Sequence, residues 1–296
     1  MKDYMILTDT CSDLDSKKLQ EIGAETVHMH LFINDEDHLA NNDWQDISVK
    51  EYYDIVRTGK RINTAQADET QFEKKFKEAA EANKDVLYIG CSGALSATIK
   101  ESLRAKETVE KEFPEMKIFC IDSLNACYSL GMLVEKACAL KKEGLSIEEN
   151  AKWVEENKFR YNESGSVDSL TYLKRAGRVT GFAAFFGGML AIKPIIVLNR
   201  LGQNNAFEKA KGRKASYKRS AEIINQYIDL ELSNDIHLCH ADCEEDIKEF
   251  AEILRAELGD KKVNFHFSII DPIIGCSVGP GTFIIDFAAR EELRDL

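Results

Sequence analysis

The chain alternates short apolar runs with amphipathic stretches, and the pattern changes character a little past its midpoint. Residues 4–7 read as a strand that runs into the polar turn Thr8-Asp9-Thr10-Cys11-Ser12-Asp13. A short helix is predicted over 49–56. Asp68-Glu69-Thr70-Gln71 has the spacing of a capping box, and Phe72, Phe76, Ala79 and Ala80 follow on one helical face. A buried strand over 86–89 leads through a Gly/Ser turn into a long charged helix over 97–113. Residues 117–121 give another strand, with helices over 126–141 and 147–158. Strands separated by helices of ten or more residues imply a parallel sheet flanked by helices.

The second half reads differently. A short helix is expected over 167–173, then a glycine turn and an apolar stretch over 182–192. Pro194 opens the strand-like run 195–198, and 236–238 is a further strand ahead of a helix over 247–258. Val263, Phe265, Phe267 and Ile269 alternate with Asn264, His266 and Ser268, which predicts a strand with one buried face. Residues 283–285 form a last strand. The expectation is an α/β protein of two domains. Residues 1–161 form an N-terminal α/β/α domain on a parallel sheet; residues 162–296 form a C-terminal α/β domain on a mixed or antiparallel sheet. The boundary falls at Tyr161-Asn162-Glu163-Ser164-Gly165-Ser166, the most loop-like stretch.

A formal net charge of −12 argues against a nucleic-acid surface, which needs positive charge to displace counterions. It disfavours anionic membrane surfaces for the same reason. The N-terminal apolar run is too short for a signal peptide and meets Asp9 at once. The uncharged stretch 181–192 is too short to span a bilayer, which takes roughly 20 apolar residues. The expected location is therefore the cytoplasm. Eight scattered cysteines then read as reduced, buried apolar residues.

Four segments carry candidate chemistry, each with a plainer alternative. Gly90-Cys91-Ser92-Gly93-Ala94-Leu95-Ser96-Ala97-Thr98 lies between a strand and a helix, where backbone N–H groups and the helix dipole suit an anion. Ser96 could equally be a simple cap. Thr64, in Asn63-Thr64-Ala65-Gln66-Ala67-Asp68, has no evident local duty, because Asp68 is the better cap. Tyr172-Leu173-Lys174-Arg175-Ala176-Gly177-Arg178 places a guanidinium ahead of the apolar stretch holding Phe182, Phe185, Phe186, Met189 and Leu190. That arrangement suits a carboxylate with a hydrocarbon tail, or else a solvated helix end and ordinary packing. Ile274-Gly275-Cys276-Ser277-Val278-Gly279-Pro280-Gly281 allows close approach to a ligand, or is a tight turn between strands. Asp9 and Asp13 could act in acid–base chemistry or satisfy their own turn. His237, Cys239, His240, Asp242 and Cys243 crowd together, but strand alternation sends them to opposite faces, against a metal site. There is no P-loop pattern and no GxGxxG.

Taken in order, these segments resemble the DegV family of fatty-acid-binding proteins. Thr8-Asp9-Thr10-Cys11-Ser12-Asp13-Leu14 is similar to the family's opening TDSxSDL turn. Thr64-Ala65-Gln66-Ala67-Asp68 is similar to TSQPS, and Ser92 to Thr98 to SSxLSGT. Tyr172 to Arg178 is similar to YLKKGGR, and Ile192-Lys193-Pro194-Ile195 to IKPI. Lys209-Ala210-Lys211-Gly212-Arg213-Lys214 is similar to a basic KxRxxKK segment, and Ile274 to Gly281 to IGxHxGPG. The resemblance implies an acyl chain buried between two domains, with no cofactor, and in some members a role as the binding subunit of a fatty-acid kinase. A separate ATP-using partner would then phosphorylate the bound carboxylate.

By position, the resemblance makes Thr64, Ser96, Ala97, Arg178 and Ser277 the carboxylate site. Phe182, Phe185, Phe186, Met189 and Leu190 become the acyl-pocket wall, and Lys209, Lys211 and Arg213 the kinase contact. Two departures stand out: Ser277 occupies the family's histidine position, and Lys211 replaces an arginine, keeping its charge but losing the bidentate fork. Two other functions stay open on the residues. One is a lipid-binding sensor or carrier with no kinase; the other is a small-molecule hydrolase or transferase using Asp9, Asp13 and the serines.

Overall fold

The computed structural model describes residues 2–59, 62–180 and 192–296. The acyl-wall residues Phe182, Phe185, Phe186, Met189 and Leu190 lie outside the described residues. The chain divides into two compact units, Met1–Asp43 with Ile62–Lys158, and Trp44–Arg61 with Phe159–Leu296.

The first unit is built on a parallel sheet. Its strands are β1 (Tyr4–Asp9), β2 (Ala24–Val27), β6 (Asp85–Gly90) and β7 (Ile118–Asp122), in the order β2-β1-β6-β7. A small antiparallel sheet adds β3 (His30–Ile33), β4 (Glu36–Leu39) and β5 (Asn63–Ala65), ordered β4-β3-β5. The helices are α1 (Ser16–Ile22), α3 (Glu69–Glu81), α4 (Thr98–Glu112), α5 (Cys127–Lys142) and α6 (Ile147–Asn157). On α3 the expected apolar face is buried: Phe72 meets Tyr88 edge-on at 4.8 Å and Phe76 at 5.9 Å. Each such burial contributes roughly 1.5–3 kcal/mol.

The expected capping box on α3 forms only in half. Asp68 accepts from Gln71 N at 3.0 Å, but the Gln71 side chain turns away to bond both backbone groups of His28. Sequence spacing could not show that a better partner lay in the connection between β2 and β3.

The second unit carries a seven-stranded mixed sheet, ordered β13-β12-β14-β8-β10-β11-β9. These are β8 (Tyr161–Ser166), β9 (Val179–Thr180), β10 (Ile192–Leu198), β11 (Asn204–Lys211), β12 (Asp235–His240), β13 (Asn264–Ile269) and β14 (Phe283–Ala288). The helices α8 (Arg213–Tyr227) and α9 (Glu244–Leu258) pack over one face, burying Tyr217, Ile224, Phe250 and Leu254 against Ile195, Leu238, Phe283 and Ile285. Three further helices belong here: α2 (Val49–Arg57), α7 (Leu170–Ala176) and α10 (Pro272–Val278).

Three expectations give way. The loop-like stretch at 161–166 is β8, a central strand between β14 and β10. Its Asn162, Ser164 and Ser166 stand in register with Phe287, Ile285 and Phe283 and share their face. They are small there because α8 crosses above them. A Cβ on Gly165 would sit 2.9 Å from the Phe283 carbonyl, so the low strand propensity of this run reflects crowding rather than irregularity. Of the segment 274–281, for which a tight turn is one reading, the first five residues belong to α10 (Pro272–Val278), because Asp271 caps Ile273 N and Ile274 N and Pro272 suits a first helical turn. On β13, Phe267 is 52% exposed despite the alternation, because that strand is the sheet's edge.

Candidate functional site

In the first unit the strand order reverses between β1 and β6: β1 is followed by β2 on one side and β6 by β7 on the other. Open α/β sheets bind ligands at the carboxyl ends of such strands. The turns that leave β1 and β6 are fastened together by Asp9. Its Oδ2 accepts from the Tyr88 hydroxyl at 2.7 Å and Cys91 N at 2.8 Å, and its Oδ1 accepts from Cys11 N at 3.0 Å. Burial raises its pKa against the lowering pull of those bonds. With both oxygens engaged and no exposure, Asp9 is a fastener of the turn rather than an acid–base group. Asp13 closes the same turn in the left-handed region, at φ 56°.

The turn after β6 is anchored at its base and open at its tip. Ser92 N donates to Asn125 O at 2.8 Å, and Gly93 N reaches both Asp122 oxygens at 3.1 Å. A Cβ on Gly93 would lie 2.7 Å from Asp122 Oδ2, which is why glycine stands there. Ser96, half-buried, accepts from Thr98 N at 3.3 Å and lies 2.9 Å from the Thr98 hydroxyl. Ala97 occupies the N-cap position of α4 with no side-chain acceptor, so Ser96 meets only part of the positive helix end. Thr64 sits on β5 opposite Leu31, half-buried. Among the described residues its hydroxyl makes no hydrogen bond.

Arg178 and Ser277 belong to the second unit, where α7 and α10 meet. The Tyr172 ring lies directly on Gly279, where an added Cβ would come within 2.2 Å of Tyr172 Cδ2. Gly279 also has φ 82°, so two separate reasons demand glycine. Arg178 follows the Gly177 cap of α7, is exposed, and donates from Nη1 to Ala176 O at 2.6 Å. Burial pushes the Cys276 thiol up to about 11, and the Arg178 charge is near enough to oppose that rise. Ser277 donates its hydroxyl back to Ile273 O at 3.4 Å. Tyr52 on α2 donates to Pro272 O at 2.6 Å, and the Tyr53 hydroxyl crowds Gly275.

Of the basic segment, Lys209 and Lys211 are exposed on β11 and project to one side of buried Ala210. Arg213 opens α8 and turns inward. Its Nε donates to the Tyr217 hydroxyl at 2.7 Å and its Nη2 to Gly281 O at 2.8 Å. It also pairs with Asp246 at 2.9 Å and Asp168 at 3.3 Å. Asp168 and Asp246 leave no local signal, because they are far from Arg213 in the chain; Tyr217, four residues on along α8, could have been found from its i,i+4 spacing. The His/Cys crowd near β12 is dispersed: the His237 and His266 rings stack at 4.7 Å, His266 meets Asp235 at 2.9 Å, and Cys239 lies 3.0 Å from the Ser268 hydroxyl. Among the described residues no group of three or more His, Cys, Asp or Glu side chains could hold a metal ion, and no helix is long and apolar enough to cross a membrane.

The structure therefore places Thr64, Ser96 and Ala97 in the first unit, and Arg178, Ser277, Lys209, Lys211 and Arg213 in the second. Comparison with known proteins gives a consistent picture. The DegV family model matches residues 3–290. A DegV domain-containing protein of Clostridium perfringens is 33% identical over 287 residues, covering 97% of this chain and 98% of the relative. Another, from Caldanaerobacter subterraneus, is 31% identical over 259 residues, covering 87% and 89%. A DegV family protein from Thermus thermophilus, described by its fatty acid binding, superposes with a TM-score of 0.83 at 26% identity, covering 97% of this chain and 100% of that one. DegV from Bacillus subtilis, described as a fatty acid binding protein, superposes with the same score at 23% identity, covering 98% and 100%.

Proposed function

This chain belongs to the DegV family, and we propose that it binds one long-chain fatty acid. The carboxylate would be held by Thr64, Ser96, Ala97, Arg178 and Ser277, and the acyl chain by Phe182, Phe185, Phe186, Met189 and Leu190. The observation that carries this reading is the match to the Thermus thermophilus protein, which is described as binding fatty acid and aligns along almost the whole chain. Each unit supplies donors of the kind a carboxylate needs: in the first, a helix end without a side-chain cap, a serine beside it and a threonine hydroxyl that makes no hydrogen bond among the described residues; in the second, an exposed arginine.

Each buried CH₂ contributes about 0.8 kcal/mol, so a long chain supplies on the order of 10 kcal/mol before ordering costs. Such a ligand survives purification. Mass spectrometry of lipid extracted from the native protein is expected to find close to one fatty acid per chain. Arg178→Ala is expected to weaken fatty-acid binding about 10- to 100-fold, the worth of a charge-assisted bond of roughly 1.5–3 kcal/mol, and to leave the matching alcohol nearly unaffected. Equal losses for acid and alcohol remove Arg178 from the site. A protein that neither carries nor takes up fatty acid ends the lipid reading.

The second half of the proposal is that the bound acid is presented to a separate ATP-dependent kinase, which forms the acyl phosphate, since this chain has no phosphate-loop pattern of its own. Lys209 and Lys211 would face that partner, with Arg213 behind them. An ATP-binding partner captured by the native protein should be lost on Lys211→Glu; capture that survives the charge reversal counts against this surface. A carrier without a kinase is the second reading. It is favoured by Ser277, which cannot be cationic and which stands where the family has a histidine.

A further inference from the structure

We propose that Arg213 is a positioning residue for the headgroup end of the ligand site, working through the Gly279-Pro280-Gly281 turn rather than by meeting a partner protein. This rests on the fatty-acid reading above. One guanidinium joins four parts of the second unit. It meets Asp168 just ahead of α7, Gly281 O just beyond α10, Asp246 in the first turn of α9, and Tyr217 one turn along its own helix. Tyr217 in turn donates to Asp246 at 3.1 Å, and Lys193 on β10 holds Asp168 at 2.6 Å. Gly281 is gripped from both sides: at φ 79°, an added Cβ would lie 2.9 Å from Asp168 Cβ and 3.6 Å from Arg213 Nη2.

The consequence follows from what lies on either side of the clamp. Asp168 precedes α7, whose Gly177 cap leads to Arg178; Gly281 follows α10, which carries Ser277. The two helices touch through Tyr172 on Gly279. Arg213 therefore fixes the start of the element that leads to Arg178 against the end of the one that carries Ser277. A planar fork can bond Asp168, Asp246 and a carbonyl at once, which an ammonium on a flexible stem cannot do in the same geometry.

The test compares the full chain with Arg213→Gln, Arg213→Lys and Asp168→Asn, with Lys214→Gln on the exposed side of α8 as control. Affinities for a fatty acid and its matching alcohol are measured beside amide exchange. Arg213→Gln is expected to lose about tenfold or more for the acid and little for the alcohol, with amide protection falling selectively at 279–281. Arg213→Lys should recover only part of the loss. Adding Asp168→Asn to Arg213→Gln should cost little more than the larger single change, because both break one clamp. Lys214→Gln should match the wild type. Should Arg213→Gln not fold, Asp168→Asn alone removes one arm and carries the same readouts.

Unchanged protection at 279–281, or equal losses for acid and alcohol, overturns the assignment. Wild-type protein that takes up neither acid nor alcohol overturns the lipid reading and with it the headgroup role. Amide exchange, which needs no ligand, then shows separately whether the clamp exists.

Discussion

Asp9→Ala is expected to destabilise the first unit by about 3–5 kcal/mol. The change removes the shared acceptor of three buried donors, Tyr88 hydroxyl, Cys91 N and Cys11 N. Each orphaned buried group costs about 1–3 kcal/mol. Asp9→Asn should recover only part of the loss, since its amide turns a new donor towards donors already there. Trp153 lies in the first unit and Trp44 in the second, so a Trp44→Phe background lets fluorescence follow the first unit through urea unfolding. A midpoint unmoved at constant m would show that the turns after β1 and β6 hold without the carboxylate.

The same residue gives a pH signature. Burial raises its folded pKa above the unfolded value of about 3.9. Its contribution is then fully present below the unfolded pKa and declines as pH rises through the folded one. The gap between wild type and Asp9→Ala should therefore narrow from pH 3 towards pH 7.

Arg294→Ala is expected to cost the second unit about 3 kcal/mol, although only two residues follow it in the sequence. The residue is only 2% exposed. It donates to Tyr161 O at 2.7 Å, Asn199 O at 3.2 Å and Phe159 O at 3.3 Å, and stands 5.4 Å from the Phe159 ring centre. Burial lowers its pKa to about 10, which still leaves it charged at neutral pH. The three carbonyls lie at the start of β8 and just past β10, so their desolvation is met by a single side chain. Cutting the chain before Glu291 should have a similar effect. Trp44 fluorescence in a Trp153→Phe background reports the transition. A loss under 1 kcal/mol would mean that the three carbonyls find other donors, and that the C-terminal turn is ornamental to the sheet.

How far the fold could be read in advance follows the range of the interactions concerned. Helices α3, α4, α6 and α9 were legible because a 3.6-residue apolar period is written within a dozen residues. Strands β1, β6 and β14 were legible as short apolar runs bounded by turns. The family resemblance drew on the same local motifs, and it named Thr64, Ser96 and Arg178 as site residues. β8 was hidden because Asn162-Glu163-Ser164-Gly165-Ser166 has the composition of a loop. Its place in the sheet depends on Ile284 and Ile196, which come from far along the chain, and on a helix crossing close above. Strands β2, β4 and β5 are short and largely polar, and β3 spans only His30–Ile33, too short for its alternation to stand out.

By itself, then, the sequence determined the α/β class, the parallel character of the first sheet and the family, because those rest on local periodicity and on motifs in order. Only the tertiary structure decided that 44–61 joins the second unit, with Tyr52 and Tyr53 packed on α10. It also decided that Asp9 fastens two turns, and that Arg213 points inward to Asp168, Asp246 and Gly281. Each of these depends on groups 30 to more than 200 positions apart. A buried charge finds its partner by where the backbone brings a complementary group, and no spacing along the chain records that.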